Sequence, residues 1–128
     1  MQAKKPASPG ARLSTQLAGA SAEALAEAFL LRQGLRVLER NWRVRGGEID
    51  LICEDRGSLV FVEVRLRRNK DFGGAGASIT STKQRRLILA ARHYLAGKRQ
   101  RPCRFDAVLL DGLTEANIEW IRNAFEAA

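Results

Sequence analysis

Two short acidic segments of this chain combine carboxylates with large apolar residues. The first, residues 47–52, reads GEIDLI, and the second, residues 60–65, reads VFVEVR. Each segment sets a carboxylate among residues typical of a buried strand, where an unpaired charge is costly. A divalent cation with oxygen ligands would offset that cost, and a cation held beside a phosphate is typical of nucleases. We therefore take Asp50 and Glu63 as candidate metal ligands.

The alternation of side chains along strands gives these two carboxylates a definite relation. If the segments form a hairpin in which Glu54 pairs with Leu59, Asp50 lies opposite Glu63 and shares a face with Ile52. A shift by one residue would mismatch the buried faces. Like charges that face each other destabilise a sheet unless a cation lies between them, and Mg²⁺ or Mn²⁺ suits such a site. The alternative is that both carboxylates simply pair with the abundant arginines.

The chain is strongly basic. Its 128 residues include 22 Lys and Arg against 14 Asp and Glu, which gives a formal net charge of +8. A domain of this charge attracts polyanions, and nucleic acid is the commonest of them. Aromatic residues are few, so contact through phosphates is expected rather than base stacking. The candidate phosphate-binding residues are Arg65, Arg67, Arg68, Lys70, Lys83, Arg85 and Arg86.

The hydrophobic patterns predict the element order α-β-β-β-α-β-β. Ser14 and Thr15 are candidate N-caps of the first helix, and Gly34 fits the position just after its end. A mixed sheet flanked by helices, of the α/β or α+β class, follows from this order. A disordered tail is expected at residues 1–13, a single domain at 14–128 and a mobile loop at 68–79. The predicted helices are 14–33 and 81–97, and the predicted strands are 35–43, 48–54, 59–67, 104–110 and 118–121, the last followed by a short helical end.

The sequence also predicts where the protein resides. It has no apolar run of about 18 residues, so neither a transmembrane helix nor a membrane partner is expected. No apolar stretch follows the N-terminal lysines, so a secretory signal is not expected either. Cys53 and Cys103 form no motif and are expected to be free thiols in a reducing cytoplasm.

Several segments, in the same order, resemble the YraN-like family of predicted endonucleases. The resemblance covers residues 19–125 and rests on the two acidic segments and on motifs at residues 41–43, 72–73 and 104–106. That family resembles the PD-(D/E)xK superfamily and, more distantly, archaeal Holliday junction resolvases. The resemblance implies a restriction-endonuclease-like αβββαβ core and a metal-dependent endonuclease that hydrolyses DNA phosphodiester bonds. It also implies branched DNA as the substrate and a homodimer as the assembly.

The resemblance also implies roles for individual residues. Asp50 matches the acidic metal ligand, Glu63 matches the acidic residue of the (D/E)xK element, and Glu23 matches the helical glutamate. The lysine of that element is replaced by Arg65. Arginine can stabilise negative charge on a phosphate, but it stays protonated and cannot serve as a general base. For Glu23, the alternative is a half-exposed helix residue without a role in the site.

Lys83 is a candidate replacement for the missing lysine. With Thr80 as the N-cap, Lys83 lies in the first turn of the second helix, on the side of its apolar stripe. A cation there opposes the helix dipole unless an anion binds nearby. The predicted catalytic set is therefore Asp50, Glu63, Arg65 and Lys83. The alternative for Lys83 is a side chain that extends from the edge of the core to water.

Three functions are compatible with these observations. The first is the metal-dependent endonuclease, and the second is a nuclease-fold module that binds nucleic acid without cutting it, which Arg65 favours. The third is a protein-interaction domain in which the positive charge is incidental. Metal-dependent cleavage that disappears with Asp50→Ala would separate the first from the second, and salt-sensitive DNA binding would exclude the third.

Overall fold

The apolar runs of the chain form a five-stranded sheet with one helix packed against each face. The computed structural model describes residues 10–67, 79–114 and 117–127, with side chains from residue 21 onward. The elements are α1 (Gly10–Arg32), β1 (Arg36–Val44), β2 (Gly47–Asp55), β3 (Ser58–Arg67), α2 (Ser81–Leu95), β4 (Cys103–Asp111) and β5 (Ile118–Phe125).

The strands lie in their order along the chain, from β1 to β5. The β1–β2, β2–β3 and β4–β5 pairs are antiparallel, whereas β3 and β4 are parallel. A parallel pair needs a crossover, and α2 lies in that connection. The predicted element order and mixed sheet are confirmed, and the α+β arrangement is consistent with a restriction-endonuclease-like core. Neither α1 nor α2 is apolar and long enough to span a bilayer.

The sheet divides the core into two layers. One layer packs against α1 and the other against α2, and the central strands are buried on both faces. The layer on the α1 side contains Ala22, Ala26, Leu30, Leu35, Leu51, Cys53, Val60, Val62, Val108 and Leu110. The layer on the α2 side contains Ile49, Ile52, Leu59, Phe61, Ile79, Leu87, Ala90, Ala91, Tyr94, Phe105, Ala107 and Leu109.

The ends of the chain differ from the sequence-based predictions. Helix α1 begins at Gly10, four residues before the predicted start at residue 14, and residues 1–9 lie outside the described part. The predicted helical end after residue 121 is wrong, because β5 continues to Phe125 and pairs with β4 at Phe105. The edge of β4 that faces away from β3 supplies the hydrogen-bonding partners of β5. A sequence pattern within β5 alone does not reveal them. Residues 68–78, most of the predicted mobile loop, lie outside the described part.

The register of the β2–β3 hairpin agrees with the prediction, since Glu54 pairs with Leu59. The regular ladder ends at the pair Leu51–Val62, one position before Asp50 would face Glu63. The two strands therefore stop pairing where the two candidate metal ligands lie.

Side-chain alternation in β2 is interrupted around Asp50. Ile49 and Ile52 both pack on the α2 side, although they are three residues apart, while Leu51 packs on the α1 side. The predicted regular face shared by Asp50 and Ile52 is therefore wrong. At the corresponding position of β1, Asn41 has a left-handed backbone with a φ of 51°. A left-handed residue interrupts the regular alternation of side chains along a strand, and asparagine tolerates this conformation better than most residues.

The turn between β1 and β2 packs directly against α2 at Gly47. A Cβ atom on Gly47 would lie 2.4 Å from the carbonyl oxygen of Arg86 and 3.2 Å from the amide nitrogen of Ala90. Close by, the indole Nε1 of Trp42 donates a hydrogen bond of 3.3 Å to the carbonyl oxygen of Ala90. Only glycine allows the two backbones to approach this closely.

Gly47→Ala is expected to push the β1–β2 turn away from α2. The added methyl group meets backbone atoms that cannot rotate away, so we expect the free energy of unfolding to fall by about 1–3 kcal/mol. Urea unfolding measures this change, and Trp42 fluorescence reports whether the turn has moved. An unchanged midpoint together with an unchanged Trp42 spectrum would contradict the packing described here.

Candidate active site

Asp50 and Glu63 meet where β2 and β3 diverge. The Val64 amide donates a hydrogen bond of 2.8 Å to Asp50 Oδ2. The Asp50 carboxylate thus gives the Val64 amide a hydrogen-bond acceptor beyond the last regular pair of the two strands. The same bond holds Asp50 beside Val64, the residue that follows Glu63. The strand divergence thus leaves the two carboxylates close together without a direct strand pair between them.

Glu63 is almost entirely buried, with 5% of its surface exposed, and two cations contact it. Lys83 Nζ lies 3.2 Å from Glu63 Oε2, and Arg65 Nη1 lies 3.8 Å from the same oxygen. The start of α2 delivers Lys83 to this point, because Thr80 caps the helix and its Oγ1 accepts the Lys83 amide at 3.2 Å. The structure therefore brings Glu63, Arg65 and Lys83 together, as their sequence positions suggested.

The environment of Asp50 disfavours its charged form. Burial raises the pKa of Asp50 to about 8, the negative charge of Glu63 adds to the rise, and the Val64 hydrogen bond opposes it. Without a cation, the Asp50 carboxyl therefore holds a proton at neutral pH. A bound cation would reverse this balance, since it favours the carboxylate form of Asp50.

Glu23 reaches the same site from α1. Burial raises the pKa of Glu23, and hydrogen bonds with Asp50 and Asn41 oppose that rise. The helix therefore does bring the predicted glutamate beside Asp50. Sequence reasoning missed Asn41. The signal that could have found it is the residue type, because asparagine tolerates a left-handed backbone and here interrupts a strand of larger residues.

The donor set fits a hard divalent cation. Mg²⁺ is commonly held by one or two carboxylates, and water and substrate phosphates complete its coordination. Asp50 and Glu63 supply two such carboxylates in a partly dry site where like charges otherwise repel. Across residues 10–67, 79–114 and 117–127, no group of three or more His, Cys, Asp or Glu side chains is arranged to hold a metal. Glu23 as a third ligand therefore stays a prediction.

Arg67 belongs to an ion-pair network, and its role as a phosphate contact stays a prediction. Its guanidinium donates to both carboxylate oxygens of Asp111 at 3.0 Å and to Glu119 at 3.2 Å. Only 16% of its side chain is exposed. The network ties β3 to β4 and β5 through the Nε and Nη2 atoms of Arg67.

The other predicted phosphate contacts fall into two groups. Arg85 and Arg86 are exposed on α2, where Arg85 donates a 3.3 Å hydrogen bond to Thr82 Oγ1. Arg68 and Lys70 lie outside the described residues. Lys83 and Arg65 are partly exposed, with 42% and 35% of their side chains accessible, so both could contact a phosphate while they face Glu63.

A second buried carboxylate, Asp106, is held by four donor contacts. The Arg104 Nε atom lies 3.0 and 3.2 Å from its two oxygens, and the Trp120 indole and the Asn123 amide each donate at 3.0 Å. Asp106 therefore pairs with an arginine of its own strand. All of its contacts come from the protein itself, so it is a structural carboxylate rather than a part of the candidate site.

Comparisons with known proteins identify relatives along most of the chain. The model of "Uncharacterised protein family UPF0102" matches residues 22–110, a segment that contains Glu23, Asp50, Glu63 and Lys83. A UPF0102 protein of Dechloromonas aromatica is 60% identical over 114 residues, which cover 89% of this chain and 92% of the relative. A UPF0102 protein of Nitrosospira multiformis is 56% identical, with 89% and 97% covered. One from Nitrosomonas europaea is 60% identical, with 84% and 92% covered.

Proposed function

The chain belongs to the UPF0102 family, and we propose that it is a divalent-metal-dependent endonuclease that hydrolyses phosphodiester bonds of DNA. The observation that carries this proposal is the pair of carboxylates at the divergence of β2 and β3, the partly buried Asp50 and the buried Glu63, beside the ammonium group of Lys83. Two acidic oxygen donors next to a cation that can face a phosphate are the groups that metal-assisted hydrolysis requires.

Each residue of the site has a defined task in this proposal. When bound, Mg²⁺ or Mn²⁺ lowers the pKa of a water molecule and neutralises charge on the scissile phosphate. Asp50 and Glu63 bind the cation, and the Val64 amide orients Asp50. Lys83 fixes the Glu63 carboxylate and presents positive charge to the phosphate. Arg65 stabilises the negative charge that develops, but it cannot accept a proton.

The finer features of the proposal rest on the resemblance and on the sequence. They are branched DNA as the preferred substrate, a homodimer as the acting form and the cytoplasm as the compartment. The net charge of +8 supports a polyanionic substrate, since it favours the approach of nucleic acid.

The test is cleavage of a labelled four-way junction and a matched linear duplex with Mg²⁺ or Mn²⁺. We expect wild type to cut, and Asp50→Asn and Glu63→Gln to cut more than about 100-fold more slowly, because even outer-shell partners of metal ligands cost about 10- to 100-fold. Glu39→Gln, at an exposed position of β1, is the matched control and should retain the wild-type rate. Equal cleavage by Asp50→Asn and wild type would refute the proposed site.

A second candidate function is a nuclease-fold module that binds DNA without cutting it. Arg65 is the observation that favours it, because a permanently protonated group takes the position of the motif lysine and lies 3.8 Å from Glu63. Salt-sensitive DNA binding by wild type without cleavage would support this module. Cleavage by wild type that becomes faster in Arg65→Lys would instead support the endonuclease and would show that the arginine lowers the cleavage rate. DNA affinity that does not depend on salt would exclude both and leave a protein-interaction role.

A further inference from the structure

Arginines from two separate elements share one surface beside the candidate site. Arg45 lies in the turn between β1 and β2, while Arg85 and Arg86 lie on the exposed side of α2. The contact between Gly47 and the carbonyl oxygen of Arg86 locks the turn against the helix, so the three arginines keep a fixed relation. We call Arg45, Arg85 and Arg86 the turn–helix surface.

The turn–helix surface lacks the carboxylates that neutralise arginines elsewhere. Arg36 pairs with Glu54, and Arg40 pairs with Glu27. In contrast, neither Arg45 nor Arg86 forms an ion pair within the described part of the chain. Arg85 contacts only the hydroxyl of Thr82 there. Like charges fixed in proximity are unfavourable in isolation, so this arrangement favours the binding of a polyanion.

The position of Arg45 relative to Asp50 limits the length of that polyanion. Arg45 lies in the turn that precedes β2 and is five residues before Asp50. At a rise of roughly 3.4 Å per residue the separation is at most about 17 Å. Base pairs of duplex DNA are also about 3.4 Å apart along the axis, so this distance corresponds to no more than about five base pairs. Lys83 and Arg86 lie one helical turn apart on α2 and supply positive charge between Arg45 and Asp50.

We propose that the turn–helix surface binds the sugar–phosphate backbone of duplex DNA within about five base pairs, on one side of the phosphate that faces Asp50 and Glu63. The position of the cut phosphate rests on the proposed function, whereas backbone binding by the surface does not. The surface would hold the duplex in place for the site and contribute affinity without reading the base sequence.

Equilibrium binding of a labelled duplex of roughly 20 base pairs, in buffer with a chelator and at several salt concentrations, tests this surface. Arg45→Gln and Arg86→Gln should each reduce the slope of log affinity against log salt by about 0.9, because each removes one phosphate contact. That slope corresponds to about eightfold weaker binding at 0.1 M salt, relative to a 1 M reference. The matched control is Arg56→Gln, which removes an exposed arginine from the turn at the other end of β2.

The binding result and the cleavage result are separable. A wild-type slope for both Arg45→Gln and Arg86→Gln would overturn the proposal, and so would an equal loss with Arg56→Gln, which would indicate a general effect of net charge. Absence of cleavage by wild type would remove the proposed function but leave the binding result intact. If wild type cuts, a neutral methylphosphonate linkage at one position within about five base pairs of the cut should slow wild type but not Arg45→Gln. Equal slowing of both would overturn the assigned position.

Discussion

Asp106→Ala should lower the free energy of unfolding by about 3–5 kcal/mol, the range for breaking a buried ion pair from one side. Asp106 is 1% exposed and accepts hydrogen bonds from Arg104, Trp120 and Asn123. Its removal leaves the partly buried guanidinium of Arg104 with a single carboxylate partner, Asp55, and removes the acceptor of two further donors. Domains of this size are stable by only about 5–15 kcal/mol, so the loss should remove a large share of the total.

Thermal and urea unfolding measure the effect of Asp106→Ala, with an expected fall in Tm of about 10 °C or more. Asp111→Ala is the matched control, because Asp111 also binds an arginine that keeps a second carboxylate, Glu119, but the Asp111 side chain is partly exposed. That control should cost no more than about 1 kcal/mol, as is usual for partly exposed pairs. Similar losses of unfolding free energy for the two variants would contradict the structural role assigned to Asp106.

Asp50→Asn should make the protein more stable at alkaline pH while it abolishes metal binding. The folded state raises the pKa of Asp50 to about 8, mainly through burial and then through the charge of Glu63. In the unfolded chain the same group titrates near 3.9. Asparagine keeps a carbonyl oxygen that can accept the Val64 hydrogen bond, but it carries no charge to bury.

The sign of this effect follows from proton binding. Between pH 4 and pH 8, the folded state holds the Asp50 proton and the unfolded state has released it, so wild-type stability falls as the pH rises. The raised pKa of Glu23 acts in the same direction. Above pH 8 the full free-energy cost of ionising Asp50 in the folded state is present in wild type and absent from Asp50→Asn. A metal must displace the same proton, so its apparent affinity should fall about tenfold for each pH unit below 8.

Calorimetry at pH 5, 7 and 9 would measure both consequences, with a chelator and with added Mn²⁺. We expect the difference in Tm between Asp50→Asn and wild type to grow in favour of the variant from pH 5 to pH 9. Added Mn²⁺ should raise the Tm of wild type only. A pH-independent difference would contradict the burial of a protonatable carboxyl at position 50, and a Mn²⁺ response retained by Asp50→Asn would place the metal elsewhere.

Local sequence patterns predicted the order of the elements and the hairpin register because both depend on neighbouring residues. The N-cap Thr80 and the pair Glu54–Leu59 are examples, since capping and strand alternation are read from short windows. The full length of β5 was missed because its second half is stabilised by β4, a partner some twenty residues earlier in the chain.

The sequence predicted which residues form the candidate site, but it did not predict the contacts that surround them. Asp50, Glu63 and Lys83 were chosen from residue type and helix position, and their side chains do converge. The engagement of Arg67 by Asp111 could not be foreseen, because the pair is separated by 44 residues and depends on the β3–β4 alignment. The interruption of alternation at Asp50 was hidden for a similar reason, since it accompanies the left-handed Asn41 on the neighbouring strand.

The parallel pairing of β3 with β4 has a kinetic consequence. The hairpins β1–β2 and β2–β3 close through two-residue turns, whereas Leu59 must find Cys103 across 44 residues. Closing long loops costs more chain entropy, so non-local pairs are expected to form late in folding. The two carboxylates lie on the early hairpin, and the ammonium of Lys83 arrives only when the crossover helix docks. A nascent or partly folded chain would thus expose Asp50 and Glu63 together, with Arg65 on the same hairpin but without Lys83, the nearer of the two cations that contact Glu63 in the native state.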